Sequence, residues 1–397
     1  MKNTMRWQIS SSVLHGLQGA VQSAFGYAKD LNESLNNIRI VTGKSVDEMA
    51  RFAKEANNAA KALSTTTTEY TNASLIYYQQ GLSTKEVQER TDVTIKMANV
   101  AGESAQTVSD QMTAVWNNFY DGSKSLEYYA DVMTALGAAT ASSTDEISQG
   151  LNKFAAVAET VGLSYEYAAS ALATVTATTR QSADVVGTAF KTLFARIQDL
   201  ELGETLEDGT TLGSYSAALA AVGVNIKDAN GGLKDMDVIL GEMAAKWDTL
   251  NKDQQVALAQ SVAGVRQYTQ LIALMDNWDF MQENLMTSYD SEGTLQEQAE
   301  IYEEGWEAAS ARVRAALEEI YSTLIDDEAF IDILNGIEKV ISGFDGLIDA
   351  VGGLKGVVFV LGTVFTNVFS KQLNDTITNI RYNLMNLTEE GRKKVQE

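Results

Sequence analysis

His15 is the one histidine in this 397-residue chain. It is therefore the sole side chain whose ordinary pKa would move protons near neutral pH. A Ser–His–acid triad would need it beside a nucleophile on a sharp strand-to-helix turn. Instead it lies in a helical pattern far from any such turn, and reads as solvent-facing. Cysteine is absent, which excludes thiol catalysis, disulfides and Cys-ligated zinc. Neither Gly-x-x-x-x-Gly-Lys-Ser/Thr nor a strand-linked Gly-x-Gly-x-x-Gly occurs, so no phosphate cradle is built. The chain has 53 acids, enough arithmetically for a two-carboxylate hydrolase, yet nothing places two of them in an apolar cleft. Glu201, Glu204, Glu207 and Asp208 lack the ligand spacing of a calcium loop and read as a solvated excursion. The sequence thus offers no catalytic, cofactor-binding or metal-ligating residue, and reads as that of a non-enzyme.

Two further groups invite binding chemistry. Trp116, Phe119, Tyr120, Tyr128 and Tyr129 gather around the turn Asp121-Gly122-Ser123. They could stack a ligand, or pack a helical hairpin, as buried aromatics usually do. Arg392-Lys393-Lys394 reads as a solvated run. Lys and Arg total 30 against the 53 acids, a formal charge of −23. Charge of that sign repels phosphate, so no direct sequence-specific nucleic-acid binding is expected. Residues MKNTMRWQISSSV lack the long apolar run and small-residue cleavage site of a secretory signal. Intracellular synthesis without export through that route is expected.

The elements that would position these residues all read as helix. Proline is absent, which suits a chain of helix interiors. One punctuation mark recurs: a hydroxyl residue, two residues, then glutamate, at Ser45–Glu48, Thr66–Glu69, Ser83–Glu86 and Ser143–Glu146. No fixed period links these marks, so the chain is not a solenoid. Between 142 and 200 three helices follow one another through short turns. The first places Ile147, Leu151, Phe154, Ala155, Ala158 and Val161 on one face and stops at Gly162. The second, capped by Ser164, carries Ala168, Leu172 and Val175. The third carries Val185, Val186, Ala189, Phe190, Leu193, Phe194 and Ile197. Apolar stripes this wide must be covered, so the segment is expected to be a core for its flanking helices. Residues 201–235 are glycine-rich and acidic, with a short helix over 214–221 and a small hairpin over 224–233. Helices resume over 235–247, 252–262 and 265–289.

Two long helices flank that core. In the first, over residues 5–41, Val13, Leu17, Ala20, Ala24, Ala28, Leu31, Leu35 and Ile38 recur at steps of three and four. This fits a face packed on its own domain or a coiled-coil seam. In the second, over 291–326, the seam runs through Leu295, Ala299, Tyr302, Trp306, Ala309, Val313, Leu317, Ile320 and Leu324. Self-association of parallel copies is expected, with docking on its own core as the competing reading. Beyond it lies an apolar, glycine-rich segment that ends in a polar helical tail. Its run 356–369 contains Val357, Phe359, Val360, Leu361, Val364 and Phe365 and no charge. It is shorter than the ~20 residues that a bilayer core requires, and Asp349 and Lys355 flank it. A buried helix and a membrane-inserting segment both remain open. The expected architecture is all-α: residues 1–42 as a long helix and possible coiled coil, 43–290 as a multi-helix globular core, 291–326 as the heptad helix, and 327–397 as the apolar segment with its tail.

The helix start Ser-Thr-Asp-Glu at 143–146, the unit AAVAETVGLSYEYAASALATV at 155–175 and the helix VVGTAFKTLFARI at 185–197 together resemble the core region of phage tail tape measure proteins. The likeness extends to IRIVTG at 38–43, QQG at 79–81, SVAG at 261–264 and YTQLIAL at 268–274, and covers about residues 35–290. The resemblance implies a structural protein of a phage or prophage tail that sets tail length, scaffolds tube assembly from within the lumen and takes part in DNA ejection. It implies the tail tube protein, tail assembly chaperones and further copies of itself as partners, with host membrane a further partner at ejection. It places the chain in the virion after synthesis in the host cytoplasm. Family members are longer, so a fragment is expected. The long helices and the apolar segment also fit a pore-forming helical protein or a generic helical interaction protein.

Overall fold

Ser45, Ser83 and Ser143 each accept a hydrogen bond from the backbone N–H three residues on, and Glu48, Glu86 and Glu146 each accept one from the cap residue's own N–H. Two orphan donors per helix start are thereby satisfied. Thr211 with Ser214 and Asn251 with Gln254 build the same reciprocal pair. At Thr66 the arrangement is one-sided: the Glu69 N–H donates to the Thr66 hydroxyl at 3.2 Å, but the Glu69 carboxylate accepts from Thr65. These caps punctuate an all-α chain. The computed structural model describes residues 26–27 and 29–324, with side chains as far as 319. Among the described residues there are sixteen helices and no strand. The hairpin expected at 224–233 is reduced to a single antiparallel bridge between Lys227 and Leu233.

The described residues divide into two compact units, one formed by those up to Gln79 together with those from Glu303 to Leu324, the other by Gln80–Tyr302. In the first unit, α1 (29–42), α2 (Val46–Ala62), α3 (Thr67–Gln79) and α16 (Trp306–Leu324) are described. Ile38, Met49, Phe52, Ala56, Ala60, Tyr70 and Tyr77 are buried there, and Phe52 meets Tyr78 edge-on at 5.7 Å.

The second unit contains α4 (Thr84–Ala101), α5 (Ala105–Phe119), α6 (Leu126–Ala139), α7 (Thr144–Thr160), α8 (Tyr165–Thr179), α9 (Ala183–Glu201), α10 (Leu212–Ala220), α11 (Met236–Trp247), α12 (Lys252–Ala263), α13 (Tyr268–Asp276), α14 (Trp278–Tyr289) and α15 (Thr294–Glu303). Its core is the stretch expected from the sequence. Phe154 of α7 lies 5.5 Å from Phe190 and 5.9 Å from Phe194 of α9. The two helices approach closely because glycines face each other: a Cβ built on Gly187 would stand 2.6 Å from the Gly150 carbonyl oxygen. Gly162 ends α7 in the left-handed region at φ 75°. There the Leu163 N–H bonds the Ala158 carbonyl and the Gly162 N–H the Glu159 carbonyl, satisfying carbonyls that the helix end leaves open.

Three expectations are corrected. Val185 is 48 % exposed, because it points away from the face of α9 that buries Ala183, Val186, Ala189 and Phe190. Val161 is half-buried as the cap residue of α7. The single helix expected over 265–289 is two, α13 and α14, with Asn277 at the junction. Asn277 is not a strong breaker, but its side-chain amide donates to the Ala273 carbonyl at 2.8 Å and so caps α13. In addition, α8 is not merely striped. Every residue from Tyr167 to Thr176 is buried, as is Tyr165, so the helix is enclosed on all faces.

Candidate functional site

Among the described residues no group of three or more His, Cys, Asp or Glu could hold a metal ion. Of the acids considered for calcium, Asp208 instead bonds Arg196 Nη1 at 2.8 Å. Hydrogen bonding from Thr210 and the adjacent guanidinium hold its carboxyl down at about 2. Arg196 also donates to the Thr210 hydroxyl and to the Val262 carbonyl, both at 3.3 Å, so one side chain of α9 ties the glycine-rich excursion to the end of α12. Arg196→Ala is expected to cost about 1.5–3 kcal/mol, the usual value of hydrogen bonds to a charged group. It should also open residues 203–211 to limited proteolysis. An unchanged cleavage rate there would refute this role.

Three of the five clustered aromatics, Trp116, Tyr128 and Tyr129, are buried as core, while Phe119 is half-buried and Tyr120 is 40 % exposed. Trp116 is buried and its indole donates to the Leu126 carbonyl at 3.1 Å. The Tyr129 ring lies 5.0 Å from Tyr165 and its hydroxyl donates to the Phe119 carbonyl at 2.7 Å. Burial pushes the Tyr129 phenol up to about 12 and that of Tyr165 well above its ordinary value. These hydroxyls are donors that fasten the hairpin and do not ionise near neutral pH.

The open hollow at the α1–α2 turn, about 520 Å³ and lined by Asn36, Arg39, Ile40, Gly43 and Lys44, is bridged by its own residues. Arg39 donates to Asn36 Oδ1 at 3.3 Å and to the Lys44 carbonyl at 3.4 Å.

The seam residues are divided. Leu295 and Ala299 are buried in the second unit on α15. Val313 is buried in the first unit on α16, while Leu317 is half-buried and Trp306 is 40 % exposed. Tyr302 is half-buried, and the side chains of Ile320 and Leu324 lie outside the described ones. The spacing predicts one helix here. The structure has two, with Glu304 and Gly305 between them. Glycine is a poor helix former, and Arg312 Nη2 donates to the Glu303 carbonyl at 3.0 Å, satisfying an end that a continuous helix would not leave open. The apolar residues Val357, Phe359, Val360, Leu361, Val364 and Phe365 lie outside the described residues, as does most of the N-terminal seam. Among the described residues no helix is long and apolar enough to cross a membrane.

Two buried acids that spacing did not single out hold these helices. On α6, Asp131 accepts from the Gly293 N–H at 3.1 Å and from the Leu295 N–H at 2.8 Å, so it caps α15 from 162 and 164 residues away. On α16, Glu318 accepts from the Thr67 N–H at 2.7 Å and caps α3. A carboxylate at a helix N-terminus is favoured by the helix dipole. Asp131 leaves a sequence signal, as a lone acid inside the apolar run Tyr128–Leu136. Glu318 leaves none, since beside Glu319 it looks like solvated surface.

Burial pushes the carboxyls of Asp131 and Glu318 above their ordinary values. A folded-state pKa above the unfolded one means that the fold binds the proton more tightly. The stability they contribute is therefore fully present below the unfolded carboxyl value and is lost as pH rises through the folded one. Asp208 has the opposite sign, its contribution being lost as pH falls toward about 2. Lowering the pH from 7 to 5 is expected to stabilise the wild type relative to Glu318→Gln, which has no carboxyl to titrate there. Urea midpoints at the two pH values measure this, and a relative loss in the wild type would contradict it.

A family model described as phage-related minor tail protein matches residues 53–264. The chain is also similar to the tape measure protein of Pneumococcus phage Dp-1, at 18 % identity over 377 residues, covering 91 % of this chain and 32 % of that protein. It thus spans about a third of the length of the curated relative it matches. No solved structure matches it.

Proposed function

Because the chain belongs to the phage-related minor tail protein family, as a phage tail tape measure family protein, we propose that it sets tail length, scaffolds the tail tube from within the lumen and takes part in DNA ejection. The observation that carries this reading is the family match across 53–264, which spans the Phe154–Phe190–Phe194 core. The physical basis is the helix itself. At 1.5 Å per residue it turns chain length into distance without needing any chemistry. Further copies of the chain, the tail tube protein and the tail assembly chaperones are the proposed partners.

Tail length by electron microscopy tests the proposal. An in-frame deletion of about 100 residues from the phage gene should shorten the tail by about 150 Å if the segment runs as extended helix. Tails of unchanged length would remove the length-setting role. A smaller, fixed shortening would mean that the deleted part stays compact in the tail.

We also propose that the run 356–369 inserts into host membrane at ejection. Its support is composition: nine of its fourteen residues are Val, Leu or Phe. Val360→Asp with Phe365→Asp should abolish liposome flotation of the chain, and a wild-type chain that does not float would dismiss the idea.

A further inference from the structure

Three exposed turns among the described residues place an Asp or Asn directly before a glycine: Asp121-Gly122, Asp208-Gly209 and Asn230-Gly231. Such a pair can react with itself. With no side chain in the way, the glycine nitrogen can approach the side-chain carbonyl carbon of the residue before it. Attack there closes a five-membered imide and expels whatever group that carbon carries.

Two of the three turns are closed to this reaction. The Asp208 carboxylate is held by Arg196 Nη1 at 2.8 Å and by the Thr210 N–H at 3.0 Å. That of Asp121 is held by the Ser123 N–H at 2.8 Å. Hydrogen bonds from Thr210 and from Ser123 keep the two carboxyls below their ordinary values. An ionised carboxylate is a poor electrophile, because an oxide ion would have to leave.

Asn230 has neither protection. Its carboxamide is uncharged, and its side chain is exposed and makes no hydrogen bond among the described residues. Gly231 is exposed as well, and its N–H donates to the Asp228 carbonyl at 3.2 Å, the long end of the range for such bonds. A Cβ built on Gly231 would meet nothing within 4 Å, so there is room for a ring. The Asp228 carboxylate accepts from the N–H groups of Asn230 and Gly232, both at 2.9 Å. The residues on either side of the reacting nitrogen are thus fixed by a charge, while the nitrogen itself has one long bond to break.

We propose that Asn230 is a site of spontaneous covalent modification in the folded protein. The Gly231 nitrogen gives its proton to hydroxide and bonds the Asn230 Cγ. The Cγ–Nδ2 bond breaks, and the amide leaves as ammonia after taking a proton from water, which restores the hydroxide. Water then opens the imide at either carbonyl. One opening gives aspartate, the other isoaspartate, in which the main chain runs through Cγ. Nothing is oxidised or reduced, and no enzyme is needed. Both products place a new carboxylate near that of Asp228, and like charges repel. The Asp228 N–H bond to the Gly232 carbonyl and the bridge between Lys227 and Leu233 should therefore open. The change stops there, because Ile226 and Met236 anchor the two flanks in the core. An aged molecule then differs from a new one by one negative charge on this turn.

The test is to incubate the native full chain at mildly acidic and mildly alkaline pH, digest it with trypsin and read the peptides by mass spectrometry. Cleavage after Lys227 and Lys234 isolates Asn230 in the peptide 228–234. Asn335-Gly336, outside the described residues, falls in a different peptide. The 228–234 peptide should convert from amide to acid, faster at the higher pH, and resolve into separate aspartate and isoaspartate peaks. Asn230→Gln should lose the conversion, because its longer side chain has to close a six-membered ring, and should melt like the wild type. A sample held unfolded in urea gives the rate without a fold. If the native chain keeps its amide while the unfolded chain loses it, the fold protects Asn230 and the proposal is overturned. It is overturned equally if neither sample converts, or if Asn230→Gln converts at the wild-type rate.

Discussion

Gly187→Ala is expected to destabilise the second unit by about 3 kcal/mol, the upper end of the range for overpacking. The added Cβ would stand 2.6 Å from the Gly150 carbonyl oxygen and 3.1 Å from both the Gly150 Cα and the Lys153 Cβ. Two of those three atoms are backbone, so no rotamer change clears them and α7 must move away from α9. That movement would also loosen the Phe154–Phe190 contact at 5.5 Å. Gly241→Ala is the control. Its Cβ would meet only the Trp278 ring, at 3.9 Å, and alanine should gain up to ~1 kcal/mol in the interior of α11. Urea unfolding followed by circular dichroism distinguishes the two. Equal effects would show that the α7–α9 spacing is not set by glycine.

Phe190→Asp should be more damaging still, removing the cooperative melt of the second unit. Phe190 is fully buried, with Phe154 and Phe194 at 5.5 and 5.7 Å. A carboxyl there finds rings and no donors, and burying an unpaired polar or charged group costs several kcal/mol. A domain's whole stability is typically 5–15 kcal/mol, so the substitution consumes much of it. Phe190→Leu keeps the apolar character and most of the volume, and should cost about 1.5 kcal/mol or less. If Phe190→Asp melts like Phe190→Leu, the aromatic cluster is not the centre of the unit.

Much of this was legible from residue types. The boxes at Ser45, Ser83 and Ser143 work through contacts three residues apart, which spacing records directly. Phe154, Phe190 and Phe194 fall on stripes whose width demands cover. What spacing could not show is which helices lose every face to neighbours. The sequence of α8 is mostly Ala, Ser and Thr, residues equally at home against solvent or against a closely packed helix, so Ala168, Leu172 and Val175 look like a stripe when the whole surface is covered. The break at Asn277 depends on a side chain bonding back four residues to Ala273. The break at Gly305 is supported by Arg312 reaching the Glu303 carbonyl. The same limit hid the latches: a carboxylate that caps a helix more than 160 residues away belongs to the tertiary structure, and only the apolar surroundings of Asp131 hint at it.

The enclosure of α8 bears on the order in which the chain is made. Part of its cover comes from α14, where the Asn284 amide donates to the Thr174 hydroxyl at 2.8 Å across 110 residues. A ribosome adding 5–20 residues per second takes on the order of 5–20 s to cross that span. Throughout that interval the face of α8 that α14 covers stays in water, while α6, α7 and α9 are already made and can cover its other faces. The Ala, Ser and Thr content of α8 suits that wait, because such a face tolerates water until the α14 sequence has emerged to cover it.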